Sequence, residues 1–175
     1  MAFERTRSEE VFTGNLLRVR REFFHHDDTG EEVERELAAH PGAAVIVAHD
    51  QRSVYMVAQP REVVGEQSLL ELPAGKIDPG ETPEQAARRE LVEEIGYAAA
   101  SWEFLKTVYA SPGFTDETFH LFLATDLTEQ RGEPDEGERI LVERFPLGEL
   151  GDLIELVSDA KTLIGLLLLH RRLGG

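Results

Sequence analysis

The stretch ELPAGKIDPGETPEQAARRELVEEIGY, residues 71–97, decides the fold. It carries its own helix punctuation. Thr82 offers an N-cap oxygen, Pro83 suits a first helical position because it has no N–H to lose, and Gln85 completes a capping box. Gly96 is placed where a left-handed residue closes a last turn. These signals predict a helix over 83–95. On a wheel turning about 100° per residue with Glu90 at zero, Glu93 falls at about 300° and Glu94 at about 40°, so the three acids share one face. Leu91 and Ile95 fall toward the core side. Arg89 sits beside Glu93, where it can orient and partly neutralise the acids. Like charges three and four residues apart repel, and the negative end of the helix dipole adds to the conflict. Solvated acidic helix faces are common. This one, however, follows a strand end, a glycine loop and a further acid. A hard divalent cation resolves the conflict, since Mg²⁺ takes oxygen ligands and bridges a few carboxylates to substrate phosphates.

The rest of the composition agrees. The 175 residues carry 34 acidic against 18 basic side chains, a formal charge of −16. No basic patch of the kind that phosphate-backbone contacts require is visible, so a nucleic-acid partner is not expected. With no cysteine, disulfides, thiolate metal sites and thiol catalysis are excluded. MAFERTRSEEVF, at the start, has no apolar signal-like core. LIGLLLL (163–169) is too short to span a bilayer and reads as a buried helix. These features predict a soluble cytoplasmic protein of one ordinary domain with a small extension, and no membrane partner.

Along the chain, LLRVRREFF (16–24) reads as a strand, DDTG (27–30) as a turn, and EEVERELAA (31–39) as a returning strand or a short helix. AAVIVAHD (43–50) is a buried-strand pattern, and with SVYMVAQ (53–59) it is expected to form a hairpin. Strands are predicted over 102–109, 118–125 and 139–147, a loop over 126–138, and a helix from Ser158 to about Leu173, capped by Ser158 or Asp159. This pattern predicts an α/β or α+β layered fold.

At this point the chain resembles the Nudix hydrolase family. Gly75, Glu81, Arg89-Glu90-Leu91, Glu93-Glu94 and Gly96 match its box, G-x5-E-x7-R-E-U-x-E-E-x-G-U. Tyr97 departs from the usual aliphatic last position. The resemblance implies an α/β/α sandwich of mixed sheets, the box forming a loop–helix–loop metal motif. It also implies a small N-terminal β subdomain over residues 1–40, used for dimerisation, beside a hydrolase domain over 41–175. Three features outside the box resemble the ADP-ribose pyrophosphatase branch: Pro112 in YASPGFTDE (109–117), sixteen residues after Gly96; Gln59-Pro60-Arg61; and PDEGERI (134–140).

That branch implies hydrolysis of ADP-ribose to AMP and ribose 5-phosphate with Mg²⁺, Mn²⁺ or another divalent ion. By the same resemblance Glu90 and Glu94 are the main metal ligands. Glu93, the backbone carbonyl of Ala74 and Glu138 are further ones. Glu136 matches the loop base, with Glu93 the competing candidate. Arg61 would hold phosphate, Ser111, Pro112, Gly113 and Glu117 would border the terminal ribose, and Arg35 would contact the adenosine half. A homodimer with exchanged N-terminal strands is implied. The alternatives are the same chemistry on another nucleotide sugar, such as GDP-mannose or ADP-glucose, and a sensor that binds ADP-ribose without turnover. The six histidines are read as structural or surface residues, and Trp102 as core or as bordering a base.

Overall fold

A computed structural model describes residues 2–15, 17–132 and 139–175. The chain forms two compact units, Met1–Gly42 with Tyr109–Thr118, and Ala43–Val108 with Phe119–Gly175.

The first unit is an antiparallel sheet of β1 (Phe3–Thr13), β2 (Arg18–His26) and β3 (Glu32–Ala39) in that order. Residues 31–39, readable as strand or helix, are therefore strand. β1 carries no clean alternation of polar and apolar residues and is exposed along almost its whole length, so periodicity could not announce it. The 109–118 segment is fastened to β3: Ala38 N–H donates to Phe114 O at 2.8 Å, and Thr115 Oγ1 donates to Ala38 O at 2.7 Å.

The second unit contains two sheets. One is mixed, in the order β7 (Ala74–Lys76), β4 (Ala43–Ala48), β9 (Thr118–Glu129), β8 (Tyr97–Tyr109). The other runs β10 (Leu141–Pro146), β5 (Ser53–Arg61), β6 (Glu66–Glu71), all antiparallel. Among the described residues, helices α1 (Pro83–Ile95), α2 (Leu150–Leu156) and α3 (Ala160–Arg172) join these sheets. β4 is buried on both faces. Side chains alternate across a strand, so Ala44, Ile46 and Ala48 pack with Ala86, Ala87, Leu91 and Ile95 of α1. Val45 and Val47 pack with Leu150, Leu153, Leu166 and Leu169 of α2 and α3. Helices on opposite faces of mixed strands make this the α/β/α sandwich. α3 approaches so closely at Gly165 that an added Cβ would lie 2.3 Å from Leu72 Cδ1.

The expected hairpin between 43–50 and 53–59 does not form. The turn exists, with Asp50 Oδ1 accepting from the backbone N–H of Arg52 and Ser53 at 2.7 Å. Beyond a single bridge, His49 to Val54, the strands part into different sheets. β4 instead pairs in parallel with β9 and antiparallel with β7. A strand whose two faces both need covering gains more in the centre of a sandwiched sheet than in a hairpin with an exposed face. Two further boundaries differ. β8 starts at Tyr97 rather than 102, and β9 runs on to Glu129, so the loop expected from 126 begins only after it. α2 lay inside a stretch without a readable cap.

Candidate active site

The local signals of the 71–97 stretch are realised. Thr82 Oγ1 accepts from Gln85 N–H at 3.2 Å, and Gln85 Oε1 accepts from Thr82 N–H at 2.8 Å. Gly96, at φ +73°, closes the helix with its N–H on Val92 O. α1 therefore presents its acids in a fixed register, with Leu91 and Ile95 buried beneath them.

Strand β7 runs against this face. Ala74 N–H donates to Glu94 Oε2 at 2.8 Å, and Glu94 is 5% exposed. At Gly75 an added Cβ would stand 1.8 Å from Glu90 Oε1. Glycine is there because a carboxylate occupies the space a side chain would fill, not because of an unusual φ. Ala74 and Gly75 of β7 thus lie directly against the carboxylates of Glu94 and Glu90.

Arg89 is the hub of the cluster. Its Nε and Nη2 donate to Glu81 Oε1 and Oε2, both at 3.0 Å, and Nη2 also donates to Lys76 O at 3.0 Å. Nη1 donates to Glu90 Oε1 at 2.6 Å and to Glu93 Oε2 at 2.9 Å. The five N–H donors of a guanidinium are all engaged in this way. The fork on Glu81 holds that carboxyl below its ordinary range. In return, the Glu81 carboxylate first, then Glu90 and Glu93, push Arg89 further up, despite the opposing effect of burial. Glu81 was legible as a fixed motif position, yet sequence reasoning assigned it no role. A bidentate partner eight residues away is invisible without the loop that folds back.

The other predicted residues fall into separate groups. Arg61 Nε donates to Glu71 Oε2 at 2.8 Å. In the first unit, Arg35, Pro112 and Gly113 line a cavity of about 400 Å³ together with Phe3, Phe24 and Phe114. Ser111 lends its carbonyl to the N–H groups of Phe114 and Thr115. The carboxylate of Glu117 lies 3.5 Å from His40 Nδ1. Glu136 and Glu138 lie outside the described residues. Tyr97, the departure from the box, places its hydroxyl 2.6 Å from Arg144 Nη2. Trp102 packs on Phe122 with Arg88 over its ring, and donates its Nε1–H to Ala99 O. His120 is pushed down by burial and meets Thr107 Oγ1 at 3.0 Å.

Among the described residues no three His, Asp or Glu side chains are gathered as a ready metal cage. The donor set still fits Mg²⁺-like chemistry, because such an ion needs only one or two carboxylates and completes its shell with water and phosphate. The space at Gly75 keeps the Glu90 carboxylate against the strand edge where Glu94 already lies.

Residues 38–167 match the family described as NUDIX domain. An ADP-ribose pyrophosphatase of Bacillus subtilis (strain 168) is 40% identical over 159 residues, covering 88% of this chain and 85% of that protein. The methanol dehydrogenase activator of Bacillus methanolicus is 35% identical over 163 residues, covering 90% and 87%. A solved structure described as an ADP compounds hydrolase superposes with a TM-score of 0.86 at 27% identity, covering 99% of this chain and 95% of its own. These likenesses define an enzyme that cleaves diphosphates. The chain is a member of the Nudix hydrolase family.

Proposed function

We propose that the protein hydrolyses the diphosphate of ADP-ribose, giving AMP and ribose 5-phosphate. The observation that carries this reading is the Arg89-centred acid cluster against β7, complete in a chain so similar to an ADP-ribose pyrophosphatase. Glu90 and Glu94, with Glu93 and the Ala74 carbonyl, and Glu138 as a further ligand, would hold a divalent cation, Mg²⁺ by preference. When bound, that ion supplies charge neutralisation at the diphosphate and a more acidic water.

The chain's own residues divide the remaining work. Arg61 holds a phosphate, and its fork-shaped guanidinium suits that task. Arg35 contacts the adenosine half, while Ser111, Pro112, Gly113 and Glu117 border the terminal ribose. Water attacks one phosphorus, the bridging P–O bond breaks, and the other phosphate leaves. Glu136 takes the water's proton, with Glu93 as the competing base. Arg89 keeps Glu90 and Glu93 in position. The exposed β1, with Phe3, Val11 and Phe12 at its surface, supports a homodimer built on the N-terminal unit, and a cytoplasmic setting is part of the same reading.

A panel of ADP-ribose, ADP-glucose and GDP-mannose with Mg²⁺ tests the substrate. AMP and ribose 5-phosphate should appear fastest from ADP-ribose. Faster turnover of GDP-mannose would replace the substrate while keeping the site, and tight ADP-ribose binding without turnover would favour a sensor. E136Q should abolish most turnover without weakening binding; retained activity would move the base to Glu93. Light scattering should give a dimer mass, and a monomer would remove the proposed role of β1.

A further inference from the structure

We propose that Glu71 is a positioning residue that aims Arg61 at the diphosphate. This rests on the reading of Arg61 as the phosphate-holding residue.

Glu71 ends β6 and is only 2% exposed. A buried carboxylate is costly unless paired and hydrogen-bonded. Lys161 Nζ already supplies a counter-charge at Oε1. Lys161 is itself held by Asp159 Oδ2 at 3.0 Å, and the same oxygen caps α3 by accepting from Thr162 N–H at 3.0 Å and Thr162 Oγ1 at 2.6 Å. Thr162 Oγ1 in turn accepts from Leu72 N–H at 2.8 Å. The start of α3 and the end of β6 therefore make a rigid frame around Glu71, complete without Arg61.

Arg61 stands differently. The pairing of β5 with β6 slips between Gln59 and Arg61, so that Gln59 faces Leu69 but Arg61 faces Glu66. Such irregularities re-aim a side chain. What fixes the re-aimed guanidinium is the second oxygen of Glu71. Arg61 Nε donates to Oε2 at 2.8 Å, with Nη2 also 2.8 Å away. The Arg61 side chain nevertheless remains 42% exposed. One edge is pinned to a buried anion while part of the group stays open to solvent.

The test is a cycle of E71Q, R61A and the double variant, read as KM and kcat for ADP-ribose with Mg²⁺ and as the dissociation constant for ADP-ribose without divalent ions. E71Q should raise KM and the dissociation constant about tenfold and leave kcat within about twofold, the scale of one charge-assisted hydrogen bond. In the R61A background the same change should add less than about twofold, because nothing remains to be aimed. Full multiplication of the two effects, or an E71Q protein with unchanged KM, overturns the positioning role. R61A with unchanged KM overturns the phosphate-holding reading and the positioning role together. Should E71Q fail to fold, E71D carries the same expectation, since it keeps the charge but draws it back by one methylene.

Discussion

Replacing Arg89 by Met should lower kcat by about 10²–10³-fold, in the range set by losing preorganised polar groups at a reacting centre. Arg89 touches three carboxylates and a carbonyl at once. Without it, Glu81, Glu90 and Glu93 lose a shared cation and repel one another. Breaking a buried ion pair costs about 3–5 kcal/mol. Arg89 is partly exposed, so about 2 kcal/mol is the better expectation, a fall in Tm of about 4–8 °C for a chain of this size.

The loss should depend on pH with a definite sign. Glu81 sits below its ordinary value near 4.5 because of Arg89. Its contribution is therefore present above that value and fades as pH falls through the lower folded value. The difference in Tm between wild type and R89M should be full at neutral pH and shrink in acid. R89K should recover little, because a lysine cannot fork onto Glu81. Calorimetry across pH, paired with steady-state kinetics, checks both parts. A gap in Tm that stays constant down to strongly acid pH would remove the ion-pair account.

G75A separates activity from stability. Gly75 has an ordinary φ, so alanine is tolerated by the backbone and restricts the unfolded chain slightly in its favour. The new Cβ would meet Glu90 Oε1 at 1.8 Å and its Cδ at 1.9 Å. The end of a flexible side chain can move aside at small cost, so Tm should stay within about 4 °C of wild type. Glu90 then leaves its place against β7. A displacement of that size is expected to lower kcat by about 10²-fold. A fully active G75A enzyme would show that the reaction does not use Glu90 where β7 holds it.

Signals carried within a few residues are legible in this sequence, and those shared between distant segments are not. Helix 83–95 was legible because Thr82, Pro83, Gln85 and Gly96 satisfy backbone groups within a few residues of themselves. The acid face followed from helical geometry alone, and so did the place of Arg89 beside Glu93. The box spacing identified the chemistry, since metal and phosphate restrict which residues can stand there. Other features needed the tertiary structure. β4 and β5 look like a hairpin until the alternate faces of β4 are matched to helices on both sides. β1 has no apolar period to betray it. The bonds of Lys161 to Glu71 and of Thr162 to Leu72 join residues 90 positions apart. A buried carboxylate finds its cations wherever the packed helices bring them, and no rule of sequence spacing encodes that. Local spacing thus specifies the helix, its acids and the family. Which strands share a sheet, and which carboxylate holds each arginine, follow from burial shared between distant segments.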